Sequence, residues 1–183
     1  MNYKKLIFSF LLLLLTSFGD APAKDSATKS HKVSKKYEGE KEVVCGGKTY
    51  KIPLYLPYED TLTKTNIYLD AECTESRFVV YWGFAEGCYG RNVCSIASFS
   101  YEKISNYIAH RINLALNNKR KNIEIDDMVT GYYVPSVCYA YCNEMSVLWL
   151  DAEHIYIIGS KMHKGFAMDS QELKKSALSY IQH

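Results

Sequence analysis

A chain of 183 residues carrying 22 basic and 20 acidic side chains is close to neutral, which gives no electrostatic reason to expect a nucleic-acid partner. An apolar content of 48% excludes a disordered chain, and the length suits one domain with a real core. The features that ask for explanation are 16 tyrosines and six cysteines.

Lys4 and Lys5, an apolar core over residues 6–15 and Ala21-Pro22-Ala23 together read as a secretory signal ending near residue 23. The apolar core is too short for a membrane anchor, since spanning takes about 20 apolar residues. No later stretch is long and apolar enough to span, so no transmembrane segment is expected once the signal is removed. Without residues 1–23 the charge count falls to 20 basic and 19 acidic. Residues 24–40 are polar and Lys-rich, and are expected to form a flexible leader. A single domain is expected over residues 41–183.

Residues 42–45 and 48–56 predict a hairpin about Gly46-Gly47, a dipeptide that permits the positive φ of a tight turn. Pro53 lacks an amide donor, so the second run is an edge strand or breaks there. Residues 66–71 and 77–84 predict two further strands, with Phe78, Val80, Trp82 and Phe84 on one face and Val79 and Tyr81 on the other. Residues 85–98 read as a cysteine loop with Gly87, Gly90 and Asn92 as turn formers. Over residues 101–118 the period changes: Ile104, Ile108, Ile112 and Ala115 recur about every four residues, which predicts a long helix. Ile123 and Ile125 suggest a short strand, and Asp126-Asp127 a turn.

The stretch from residue 131 to 159 organises the rest. It predicts three consecutive antiparallel strands, at residues 129–134, 145–150 and 154–158. A connection over residues 135–143 joins the first two, and a tight turn at Asp151-Ala152-Glu153 the last two. Runs such as Val147-Leu148-Trp149-Leu150 are too continuously apolar for a strand with one wet face, so these strands are expected to be central. A polar connection over residues 160–168 leads to a last helix at residues 170–181. Its expected buried stripe is Leu173, Ala177 and Ile181, and Asp169 with Glu172 makes a capping-box pattern. The fold class is therefore α+β: a mostly antiparallel curved sheet packed by one long and one C-terminal helix and stabilised by disulfides.

An even number of cysteines after an export signal reads as disulfides: Cys45, Cys73, Cys88, Cys94, Cys138 and Cys142. Six cysteines permit 15 pairings. Proximity favours Cys88–Cys94 and Cys138–Cys142, leaving Cys45–Cys73.

Chemistry-bearing patterns are sparse. There is no C-x-x-C redox site and no G-x-S-x-G nucleophile elbow. His31, His110, His154, His163 and His183 are scattered without metal-ligand spacing, so no metal or cofactor is expected. Asp151, Glu153 and His154 cluster in sequence and suit either cation binding or acid–base work; a polar hairpin turn is the plainer reading. The aromatics point to recognition, because tyrosine is amphipathic and enriched at binding surfaces. Tyr132, Tyr133, Tyr139, Tyr141, Trp149 and Tyr156 are the candidate binding residues. A Cys138–Cys142 bridge would present Tyr139 and Tyr141 rigidly, which lowers the entropic cost of binding.

Several motifs recur together: Ile52-Pro53-Leu54-Tyr55-Leu56-Pro57, the loop from Cys88 to Cys94 followed by Phe99, the run from Gly131 to Cys142, and the pair Trp149 and Tyr156 before a terminal helix. The chain resembles in these a family of small exported bacterial proteins without assigned function, over about residues 50–181. Residues 101–118 look like an insertion relative to that family, and Cys45 and Cys73 look particular to this chain. The C-terminal part is also similar to a strand–turn–strand–helix unit of domains related to outer-membrane lipoprotein carriers. That similarity implies a curved antiparallel sheet with a helix against it and an apolar ligand, and it transfers no catalytic residue.

The expected function is an exported, periplasmic or secreted, non-enzymatic binding module. It would recognise a protein, peptide or envelope component through an aromatic surface near the cysteine loops. The alternatives are a hydrolase using Asp151, Glu153 and His154, and a carrier or sensor of lipid-like ligands.

Overall fold

Alternation of side chains with period two dominates the chain, and strands dominate its structure. A computed structural model describes residues 29–56, 66–91, 93–105, 121–136, 144–161 and 170–183. They form β1 (His31–Lys36), β2 (Glu42–Cys45), β3 (Lys48–Lys51), β4 (Tyr68–Cys73), β5 (Arg77–Gly83), β6 (Ser95–Lys103), β7 (Lys121–Glu124), β8 (Thr130–Val134), β9 (Met145–Leu150), β10 (His154–Ser160) and α1 (Ser170–Ile181).

Eight strands make one antiparallel sheet in the order β1-β4-β5-β6-β10-β9-β8-β7, and β2 with β3 forms a separate hairpin. Two meanders, β4-β5-β6 and β7-β8-β9-β10, meet where β6 pairs with β10. The second meander contains the three strands expected between residues 129 and 158, in that order.

The register assigns each residue to a face, because successive side chains of a strand point to opposite sides. On one face Cys73, Phe78, Tyr101, Tyr156 and Trp149 lie in a row across five strands. Ala71, Val80, Phe99, Ile158, Val147 and Tyr133 form the next row. Leu69, Trp82, Ala97, Ser160 and Met145 form the third. Most of these side chains are buried, and they join Val43, Cys45, Ile52, Leu56, Leu173 and Ala177 in one core. Each fully buried Phe, Leu, Ile or Val in it contributes about 1.5–3 kcal/mol of hydrophobic stabilisation. The opposite face holds a smaller cluster of Leu148 and Ile155 with Tyr132, Val134 and Ile157 packed against it.

α1 begins and ends where its stripe predicts, and Leu173 and Ala177 are buried in the core. Buried Ser176 is satisfied by donating to the Tyr55 carbonyl at 2.6 Å, while Ser179 accepts from the Tyr55 amide at 3.1 Å. The chain around Tyr55 is thus bound along the helix, with Ile52 and Leu56 sealed beneath it. Glu172 accepts from the Tyr55 hydroxyl and pairs with Lys175 at 2.8 Å. Asp169, its expected capping partner, lies outside the described residues.

Gly46 and Gly47 have φ of 60° and 79°, the two positive values that the β2–β3 turn demands. The run after that turn stops at Lys51, ahead of Pro53. Disulfides join Cys45 to Cys73 and Cys88 to Cys94, with Cα–Cα distances of 6.1 and 6.0 Å. Cys138 and Cys142 lie outside the described residues. Among the described residues no helix is long and apolar enough to cross a membrane.

Three expectations need correction. The leader expected over residues 24–40 contributes β1, which pairs with β4 from His31↔Cys73 to Lys36↔Tyr68. Its lysines concealed it: they suit an edge strand, where charge discourages further pairing, and Val33 still reaches the core. The long helix expected over residues 101–118 does not begin there, because Tyr101, Glu102 and Lys103 finish β6. The inward series Ala97, Phe99, Tyr101 continues without interruption, so period two prevails over the stripe that starts at Ile104. Residues 106–118 lie outside the described residues, and α1 is the one helix found among them. The cysteine loop expected over residues 85–98 is shorter, because β6 takes over at Ser95.

Candidate functional site

The row through Phe78, Tyr101, Tyr156 and Trp149 is a continuous run of aromatic rings. Phe78 and Tyr101 have centroids 5.6 Å apart, Tyr101 and Tyr156 5.8 Å, and Tyr156 and Trp149 5.3 Å. Two further elements add rings above the row. From β3, Tyr50 stacks on Phe78 at 4.3 Å and meets Tyr101 at 6.0 Å. From α1, Tyr180 meets Phe99 at 4.7 Å, Tyr156 at 5.5 Å and Trp149 at 6.2 Å. His154 sets its ring edge-on to Tyr101 at 5.7 Å. Such pairs contribute about 0.5–1.5 kcal/mol each beyond the area they bury, so the cluster is a rigid one.

Its polar edge is distinctive. The Tyr156 hydroxyl donates to Asp151 Oδ2 at 2.6 Å. Asp151 Oδ1 accepts from the amides of Glu153 and His154 at 2.8 and 2.7 Å, closing the β9–β10 turn. The hydroxyls of Tyr50, Tyr101 and Tyr180 make no hydrogen bond to any described residue. They are not sealed either: among the described residues the buried side-chain polar atoms without a partner are Trp82 Nε1 and Ser95 Oγ. The three hydroxyls are therefore within reach of solvent on half-buried residues.

The electrostatics agree with this crowding. Burial first, then the nearby Tyr50 and Tyr180, push the Tyr101 phenol well above its ordinary value. Burial and the hydrogen bond to Asp151 do the same to Tyr156, and burial with Asp151 raises Tyr180. Burial opposes ionisation of Asp151 itself. The hydrogen bonds from Tyr156 and the two turn amides, with His154 beside them, outweigh that and hold its carboxyl below the usual range.

The sequence candidates divide between locations. Tyr156 is half-buried in the cluster, and Trp149 is at its floor with 3% exposure, too covered to offer a surface. Tyr133 is on the same face one row away, opposite Val147. Tyr132 is on the other face, packed against Leu148 and Ile155. Tyr139 and Tyr141 lie outside the described residues. Asp151, Glu153 and His154 do meet, as a hairpin turn, with His154 Nδ1 3.6 Å from Asp151 Oδ1. Among the described residues no group of three or more His, Cys, Asp or Glu side chains is arranged to hold a metal ion. The chain's own reading missed Tyr50, Tyr101 and Tyr180. Of these only Tyr180 carried a signal, the i, i+3 step from Ala177.

The cluster sits at the end of the sheet that carries the Cys45–Cys73 bridge and the Asp151 turn. The Cys88–Cys94 loop is at the other end, where Phe84 donates to the Cys94 carbonyl at 2.9 Å. There, buried Asp70 accepts from Ser34 Oγ, from the Gly87 amide at 3.0 Å and from the Tyr89 amide at 3.1 Å. Lys161 donates to the Gly90 carbonyl at 2.7 Å and lies 3.7 Å from Glu144, which accepts from Ser98 at 2.9 Å. Gly90 passes so close over Tyr81 that a Cβ there would stand 2.6 Å from the ring. These contacts bind the loop to the sheet through groups that are already paired.

No protein-family model, curated protein or solved structure matches the chain. The likeness of its cysteine loops to a family of exported proteins thus rests on the motifs alone. The two bridges among the described residues fit a small disulfide-bearing protein.

Proposed function

We propose that the chain is an exported, non-enzymatic binding module that recognises an envelope or extracellular component through its tyrosine cluster, beside the Cys45–Cys73 bridge. The signal-like residues 1–23 and the two disulfides support export to an oxidising compartment, the periplasm or the exterior. The observation that carries the binding reading is the set of three phenol hydroxyls within reach of solvent, bonded to no described residue, on a rigid aromatic frame. Binding groups held in place before the partner arrives lose little freedom when it does.

The hydrolase alternative is weaker, because both Asp151 oxygens already hold the turn and Tyr156. A lipid-like ligand between sheet and helix is also disfavoured, because Phe99, Val147, Leu173 and Ala177 fill that space.

The test compares the parent protein with a Tyr101→Phe/Tyr180→Phe double variant, which keeps both rings and removes two hydroxyls. Each is immobilised and offered envelope polysaccharide, lipid and peptide fractions separately. The parent should retain material from one fraction and the variant should lose it, with melting temperature unchanged. Equal retention of every fraction by both proteins would reject the site.

A further inference from the structure

Resting on that reading, we propose that the tyrosine cluster takes a neutral sugar ring. Its floor, Phe78 and Trp149, is apolar and buried, while the hydroxyls of Tyr50, Tyr101 and Tyr180 at its rim bond to no described residue. A lipid tail or other purely apolar ligand would cover those phenols without pairing them, which is unfavourable for each hydroxyl taken from water. A phenol both donates and accepts, so a ligand bearing several hydroxyls can satisfy all three whatever their orientation.

The charges around the rim decide for a neutral ligand. Asp151 is anionic at one side, its carboxyl held by the Tyr156 hydroxyl. His154 is next to it, and Lys103 lies directly across from His154 in the β6–β10 register, exposed on the same face. An anion would meet Asp151, and an organic cation would meet Lys103. A ligand without charge meets neither penalty, and its hydroxyls can bond to both groups.

The experiment is isothermal titration of the full chain with chitohexaose, cellohexaose and maltoheptaose. Alginate oligomers serve as the anionic control and chitosan oligomers as the cationic one. At least one neutral oligosaccharide should bind more tightly than either charged control. The Tyr101→Phe/Tyr180→Phe variant should weaken that binding tenfold or more with an unchanged circular dichroism spectrum, and Tyr50→Phe should weaken it in the same direction. The sugar proposal is overturned if none of the three neutral sugars binds, if a charged control binds best, or if the phenylalanine variants bind as the parent does. Were the double variant still to lose a peptide or lipid fraction, the binding module would stand and only the sugar would fall. Were it to lose nothing at all, both would fall.

Discussion

The Tyr156 hydroxyl donates to the Asp151 carboxylate across 2.6 Å and so fastens the aromatic row to the turn between β9 and β10. Because hydrogen bonds keep the Asp151 carboxyl below its ordinary value, the native state binds fewer protons here than the unfolded chain. The stability this supplies is present above the unfolded value, near 3.9, and is lost as pH falls through the lower folded value. Asp151 is largely exposed, so its share is small, of the order expected for a surface interaction. Urea unfolding of Asp151→Asn should show a shallower loss of stability below about pH 4 than the parent. Identical acid slopes would mean that the contact contributes nothing.

Asp70 is the opposite case, a fully buried carboxylate that the sheet lends to the Cys88–Cys94 loop. Replacing it with alanine strands the Tyr89 amide, while the Gly87 amide keeps Ser34 Oγ at 3.1 Å as its acceptor. Each buried amide left without a partner costs about 1–3 kcal/mol. Asp70→Ala should therefore lose about 1–3 kcal/mol in chemical denaturation, and hydrogen exchange at Tyr89 should accelerate more than at Gly87. Asp70→Asn keeps one acceptor oxygen and should fall between the variant and the parent. If Asp70→Ala were as stable as the parent, the loop would be held by its disulfide and not by the carboxylate.

The two bridges should differ in their effect. Cys45 and Cys73 are 28 residues apart and close the larger loop, whereas Cys88 and Cys94 are six apart. Chain entropy gives about 3.5 kcal/mol for the first and about 2 kcal/mol for the second. The Cys45→Ser/Cys73→Ser variant should accordingly unfold at lower denaturant than Cys88→Ser/Cys94→Ser. The reverse order would show that loop length does not govern their contributions here.

Much of the fold was legible because local signals agreed with the tertiary outcome. Gly46-Gly47 marked its hairpin, the apolar runs around Trp149 and Tyr156 marked central strands, and the stripe through Leu173 and Ala177 marked α1. β1 was hidden by His31, Lys32, Lys35 and Lys36, whose polarity is tolerated because an edge strand needs only one paired side. The end of β6 was hidden because the isoleucine series beginning at Ile104 follows it directly, and Tyr101, Glu102 and Lys103 are too few to show which period they belong to. The candidate site was less legible than the fold. Tyr50, Tyr101, Tyr156 and Tyr180 come from a hairpin, two central strands and a helix. Only the β6–β10 register and the docking of β3 and α1 bring them together, and neither leaves a mark in local spacing.

The same crowding should appear as resistance of tyrosine to alkali. Burial raises the phenols of Tyr81, Tyr89, Tyr101, Tyr156 and Tyr180 above the ordinary value. A group that holds its proton more firmly in the folded state lends stability that is complete below the unfolded value, near 10. That stability is lost as pH rises toward the folded value, because the unfolded chain ionises first. Absorbance at about 295 nm should therefore report a first group of tyrosines titrating reversibly near pH 10. A second group should appear only together with loss of the near-ultraviolet dichroism of the packed rings. Tyr156→Phe removes one member of that second group and should reduce its amplitude without shifting the first. If every tyrosine titrated near pH 10 with the dichroism intact, the rings would be far more open than the packing of Tyr101 against Tyr50, Tyr156 and Phe78 allows.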